Sequence, residues 1–146
     1  MEEMILRAEN FGPKFLEYEK GTIKLVRNFP NRGRVLVAES RISRKVVGYA
    51  TIEFRWRSLV ILSIITHPDY LRQGVGRRII ERIKEEGEKH PETNVIRVDA
   101  GDFMSYAHKF YTSCGFRVCG LVMHDMSWFN HQVHFALPLK GAEKEA

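Results

Sequence analysis

The stretch Thr66-His67-Pro68-Asp69-Tyr70-Leu71-Arg72-Gln73-Gly74-Val75-Gly76-Arg77 decides how the rest of the chain is read. Upstream of it, Leu59 to Ile65 is an apolar run broken only by Ser63, the pattern of a strand buried on both faces. Downstream, Val75, Ile79, Ile80 and Ile83 recur at helical spacing, with Arg77, Arg78, Glu81, Arg82, Lys84 and Glu85 filling the other side. That pattern predicts an amphipathic helix. Gly74 and Gly76 stand where the helix begins, so the backbone can turn sharply and approach a ligand closely. The first-turn amides and the positive end of the helix dipole then face outward, and Arg72, Arg77 and Arg78 add positive charge beside them. Such a turn suits a ligand carrying a pyrophosphate, although a bare Gly-x-Gly also serves an ordinary strand-turn-helix. Two other phosphate loops are excluded. Ile79 occupies the place of the third small residue of a Rossmann turn, and no Lys-Ser/Thr follows the glycines as a Walker loop requires.

His67-Pro68-Asp69-Tyr70 followed by Leu71-Arg72-Gln73-Gly74-Val75-Gly76 resembles the acetyl-CoA-binding motif of the GNAT superfamily of N-acetyltransferases, Gln/Arg-x-x-Gly-x-Gly/Ala, with Leu71 where the motif prefers Gln or Arg. About thirty residues on, Ala107-His108-Lys109-Phe110-Tyr111-Thr112-Ser113-Cys114-Gly115-Phe116 is similar to the family's other signature, a short helix with Ala and Tyr closed by Gly-Phe. Read without the family, Tyr106, Phe110 and Tyr111 give a helix an aromatic side, Gly115 ends it and Phe116 opens a strand. Tyr111 would then be a half-buried packing residue. The resemblance is closest to the branch that acetylates protein N-termini, including ribosomal-protein alanine acetyltransferases. It implies one α/β domain over residues 1–146, with 141–146 a frayed tail. The implied sheet is mixed and mostly antiparallel, flanked by helices, with a splayed strand pair that admits acetyl-CoA as cosubstrate.

Periodicity along the remaining chain fits that architecture. Ile5 to Ala8 reads as a first strand and Phe15 to Val26 as helical, broken at Gly21 and Thr22. Arg34 to Glu39, Val46 to Trp56 and Leu59 to Thr66 read as a meander, because connections this short permit only antiparallel neighbours. Asn94 to Ala100 follows the helix Val75 to Lys89, a connection long enough for a parallel crossover. Phe116 to Met123 and Gln132 to Leu139 complete the sheet.

Composition bounds the partners. The chain has 146 residues, 44% hydrophobic and 28% charged, ordinary values for a globular protein with one substantial core. No apolar stretch reaches membrane-span length, and Met1-Glu2-Glu3-Met4 places acids where a secretion signal has a basic end, so a cytoplasmic protein without a membrane partner is expected. Cys114 and Cys119, the only cysteines, suit neither a disulfide framework nor a zinc site and are expected as reduced packing residues. The net charge of +5 is spread among interleaved acids, so a nucleic-acid partner is not expected. The chain is expected to be a monomer or homodimer.

Attack of an amine on a thioester needs a neutral amine, a polarised carbonyl and a proton for the departing thiolate. The resemblance places Tyr111 as the general acid, a role its ordinary pKa near 10 allows toward a thiolate. Backbone amides at the strand end Ile64-Ile65-Thr66 would polarise the carbonyl, and Arg72, Gln73, Gly74, Val75, Gly76 and Arg77 would hold the cofactor. Asp99 stands where the N-terminal branch has a glutamate base; its alternative is a turn cap beside Gly101 and Asp102. Glu53, His67 and His108 are further candidates. The family often has Asn seven residues before the tyrosine, where this chain has Met104, so a pantetheine contact is missing or replaced, and Asp102 could cap the helix instead. Trp128 and Phe129, in the aromatic and His-rich segment Met123 to His131, are the candidate acceptor-binding residues. Its two His residues lack ligand partners at a recognisable spacing, so no metal is expected. An α-amine with pKa near 8 is roughly a tenth neutral at pH 7, whereas lysine is almost wholly charged, which favours N-terminal amines. The competing readings are acetylation of a polyamine, amino sugar or amino acid, an acyl-CoA sensor without turnover and, more distantly, a nucleic-acid-binding module.

Overall fold

Helical and alternating periodicities become three α-helices and six strands over residues 13–102, 104–126 and 129–139, which the computed structural model of the chain describes. Helix α1 is Pro13–Asn28, followed by β1 Gly33–Glu39, β2 Val46–Arg55 and β3 Ser58–Thr66. After a 3-10 turn at Pro68–Tyr70 come α2 Val75–Glu88, β4 Val95–Gly101, α3 Ser105–Ser113, β5 Arg117–Met126 and β6 Phe129–Pro138. The strand order is β1-β2-β3-β4-β6-β5. The expected Ile5–Ala8 strand and the tail from Lys140 lie outside the described residues. The chain divides into two compact units, residues 1–54 with 61–83 and residues 55–60 with 84–146.

In the first unit, α1 runs unbroken through Gly21 and Thr22, where a break is expected from sequence. The Thr22 hydroxyl donates to the Tyr18 carbonyl one turn back at 2.8 Å, a bond available inside a helix. Burial of Glu19, Ile23 and Val26 on one side outweighs the local propensity. Ile23 packs with Tyr49 of β2 in a cluster completed by Val35, Val46 and Ile65. A polar chain crosses this core. The Tyr49 hydroxyl donates to Glu19 Oε2 at 2.7 Å, Ser63 of β3 also bonds the carboxyl, and the Ser63 and Thr51 hydroxyls are 2.6 Å apart. Burial pushes the Glu19 carboxyl above its ordinary 4.5, against the lowering effect of its bonds from Tyr49 and Ser63.

Strand β3 is less enclosed than its apolar run predicts. Leu59 and Ile61 are buried, but Leu62 to Thr66 are only half-buried. Apolar composition does not separate a face covered by protein from one left partly open. Against β2, helix α2 begins with a close approach: a Cβ on Gly48 would stand 2.8 Å from Val75 Cγ1 and 2.9 Å from Ile79 Cδ1. Gly48 therefore sets how near the glycine turn lies to the sheet.

In the second unit, β4 alternates as a half-buried strand, with Ile96, Val98 and Ala100 inside and Arg97 and Asp99 outside. It pairs antiparallel with β6 without interruption from Val95↔Pro138 to Gly101↔Gln132. β5 pairs with the other side of β6, with register shifts between Val118 and Gly120 and between Met123 and Met126. Cys114 is buried as expected, but Cys119 is exposed. Cys119 falls at the first of these shifts, where a bulge leaves one residue without a cross-strand partner.

The folded chain holds the Glu19 proton more tightly than the unfolded chain, so this group's stabilisation is full below about pH 4.5 and is lost as pH rises through the raised folded value. Glu19→Gln removes that slope; its Tm relative to the parent should increase steadily from pH 4.5 upward, and parallel Tm curves would refute a buried titrating carboxyl. Gly48→Ala should cost about 1–3 kcal/mol in urea unfolding through overpacking. Val75→Ala should recover part of that loss, so strict additivity of the two changes would contradict the close approach.

Candidate functional site

The glycine turn is built by its neighbours. His67 is buried, and its Nδ1 accepts from the Asp69 amide at 3.1 Å, starting the 3-10 turn at Pro68. Its own amide donates to the Val47 carbonyl at 2.8 Å, and its ring meets Tyr70 edge-on at 5.6 Å. His67 thus shapes the turn. Leu71 to Gly74 are exposed, and Gln73 Nε2 donates to the Asp69 carbonyl at 3.4 Å. Arg72 has φ 61° and Gly74 φ 82°, both left-handed, a conformation that costs a residue with a Cβ about 1–2 kcal/mol. The first helical bond runs from Arg78 N–H to the Gly74 carbonyl at 3.0 Å, so the amides of Val75 and Gly76 begin α2 without intrahelical acceptors. Ile64, Ile65 and Thr66 end β3 immediately before this turn. The cofactor residues expected from sequence therefore form one continuous strand end, turn and helix start. This arrangement offers backbone donors and a helix dipole to an anionic group.

Tyr111 is positioned by the end of its own helix. The Phe116 amide donates to the Tyr111 carbonyl at 3.0 Å and the Gly115 amide to the Thr112 carbonyl at 3.0 Å, with Gly115 left-handed at φ 95°. This pair of bonds is a Schellman cap, and the Tyr111 and Phe116 rings, 5.7 Å apart, supply its apolar contact. The Tyr-to-Gly-Phe spacing is thus the spacing of a helix terminus. Phe110 and Phe135 enclose the ring from two other sides at 5.5 Å each. Burial pushes the Tyr111 hydroxyl well above the ordinary tyrosine range, with smaller contributions in the same direction from Tyr106, Cys114 and Asp99. The side chain therefore stays protonated at neutral pH, but burial makes it a weaker acid toward a thiolate than an exposed tyrosine would be. At the other end of α3, Met104 occupies the N-cap with no side-chain cap bond, so Asp102 does not take the capping role considered for it.

Asp99 lies inside β4 rather than at a turn, with its side chain 44% exposed. It stands directly opposite His134 of β6, whose Nδ1 is 3.1 Å from Asp99 Oδ1. His134 is a neighbour of Asp99 that the sequence does not single out; weak alternation in its strand carries no signal, and only the register brings it to Asp99. Because neighbours along a strand face opposite ways, Tyr111 packs on the Phe135 face while Asp99 and His134 occupy the other. Among the other candidates, His108 Nε2 bonds the Gly101 carbonyl at 2.8 Å and Glu53 receives Arg32 Nη2 at 3.3 Å, both structural engagements. Trp128 lies outside the described residues. Phe129 opens β6 opposite Met126, and its side chain is likewise outside them. Among the described residues no group of His, Cys, Asp and Glu could hold a metal, and no helix is long and apolar enough to cross a membrane.

Solved structures share this fold. A Bacillus anthracis protein assigned as a streptothricin acetyltransferase, in complex with acetyl coenzyme A, superposes with TM-score 0.69 at 20% identity over 78% of this chain and 68% of its own. The ribosomal-protein-S18-alanine N-acetyltransferase of Escherichia coli gives 0.63 at 18% over 80% and 75%. A chimeric spermidine N-acetyltransferase from Vibrio cholerae gives 0.70 at 19% over 89% and 82%. No curated protein sequence matches. The family model described as acetyltransferase (GNAT) domain matches residues 31–118, which span the glycine turn, Asp99 and the capped Tyr111 helix. With more than half of its length in that match, the chain belongs to the GNAT family of acetyltransferases.

Proposed function

We propose that the chain transfers the acetyl group of acetyl-CoA directly to a primary amine, with a protein or peptide N-terminus as acceptor. The observation that carries this reading is Tyr111, fixed by a helix cap and enclosed by aromatic rings at the place where a donor to the leaving thiolate is needed. The glycine turn and the start of α2 would hold the pyrophosphate, and backbone amides at Ile64, Ile65 and Thr66 would receive the thioester carbonyl. The amine attacks the carbonyl carbon, forming the C–N bond as the C–S bond breaks. The amine proton goes to Asp99 and the Tyr111 proton to the thiolate, after which solvent restores both groups. Trp128 and Phe129 remain the candidate contacts to the acceptor. An N-terminal amine is favoured because its larger neutral fraction asks less of a short carboxylate that is partly open to water.

Tyr111→Phe should keep the cap and lower kcat by about 10²–10⁴-fold, with the KM for acetyl-CoA nearly unchanged, measured by release of free CoA thiol. An undiminished kcat would remove Tyr111 from the chemistry. The same assay across free-N-terminal peptides, N-blocked lysine peptides, polyamines and amino sugars tests the acceptor. Turnover confined to free N-termini is expected. Turnover on small amines alone would reassign the enzyme to a small-molecule substrate, and acetyl-CoA binding with no turnover on any acceptor would favour a sensor.

A further inference from the structure

We propose that His134 is a positioning residue for Asp99: its imidazole donates Nδ1–H to one carboxylate oxygen and fixes the carboxylate in the orientation that receives the amine proton. This rests on the reading of Asp99 as base. Asp99 and His134 are directly opposed in an uninterrupted antiparallel ladder, and their side chains meet with Nδ1 3.1 Å from Oδ1. The two imidazole nitrogens differ in environment. Nε2 is enclosed and has no hydrogen-bond partner among the described residues, so a proton there would be a buried donor with no acceptor among them. Nδ1 has an acceptor beside it, which selects the Nδ1–H tautomer.

The exposures divide the roles in the same way. The His134 side chain is 20% exposed and that of Asp99 44%, so the imidazole is the enclosed partner and the carboxylate the one that meets solvent. An ionised carboxylate has about four acceptor sites, so a bond from His134 does not by itself exhaust them. The Asp side chain is short, so its rotamer decides what it can reach, and a donor at a fixed distance restrains that rotamer. On the other flank of His134 the register places Gly120, where even an added Cβ would come only to 3.9 Å of the His134 Cβ. The ring therefore has no cross-strand side chain at that position to compete with Asp99.

The test uses the full chain, acetyl-CoA and the acceptor that turns over in the panel. Asn places an amide donor near the Nδ1 position, whereas Gln places its amide near Nε2. His134→Asn should retain kcat within about threefold. His134→Gln and His134→Leu should lower it by about 10–100-fold, as loss of a residue that orients a functional group does, without changing the KM for acetyl-CoA. In the background of Asp99→Asn, His134→Gln should add nothing. Equal losses in the Asn and Gln variants, or full activity in both, would overturn the positioning role. Full activity of Asp99→Asn would instead overturn the assignment of the base, so the two failures are distinguishable. A readout independent of turnover is the imidazole 15N spectrum of the wild type. The Nδ1–H tautomer is expected, shifting toward a mixture in Asp99→Ala, and an Nε2–H tautomer in the wild type would refute the inference by itself.

Discussion

A slip of one residue between β4 and β6 would carry Asp99 to the Phe135 face and Val98 to the face of His134, because side chains alternate along both strands. The arrangement in the second unit depends on that register. It places an apolar row, Ile96, Val98 and Phe135, beneath α3 and the Tyr111 ring, and a polar pair, Asp99 and His134, on the reverse. The apolar row resists the slip, since moving it would bring buried Val98 and Phe135 toward the polar face. Hydrophobic burial on one face thereby holds Asp99 and His134 directly opposite each other on the other face.

The first unit obtains its order from a different balance. Its core contains a carboxyl, a phenol and two hydroxyls where apolar side chains would pack as densely. Burying such groups is costly unless every one is bonded. Glu19 spans α1, β2 and β3 through Tyr49 and Ser63, which restricts how those elements can be matched. The aliphatic contacts around Ile23 and Tyr49 would tolerate small rotations of α1, whereas the hydrogen bonds would not. A specific alignment is therefore maintained behind the strand that leads into the glycine turn, and Gly48 fixes the depth of the helix that leaves it.

How much of this was legible in the sequence depends on whether the determining contacts are local. Gly74 and Gly115 sit at left-handed positions that their neighbours announce, and the Val75 helix is read from its own periodicity to within a residue while the Tyr111 helix is read by its stop at Gly115. Helix α1 continues through Gly21 because Glu19, Ile23 and Val26 pack against residues far along the chain, and no local rule contains that. His134 is illegible for a related reason: it meets Asp99 only through one register position across a sheet. The openness of Leu62 to Thr66 escapes because an apolar run records what a strand can bury and not what covers it.

The irregularity of β5 bears on how the chain behaves at high concentration. β5 lies at one end of the sheet, and Val118 and Leu121 on it are 64% and 55% exposed. A straight ten-residue edge with such residues would be a template onto which a second copy could add its own strand. The register shift around Cys119 breaks the edge into shorter pieces and increases its local twist. The bulge that exposes a thiol thus also interrupts the hydrogen-bonding row that edge-to-edge aggregation needs.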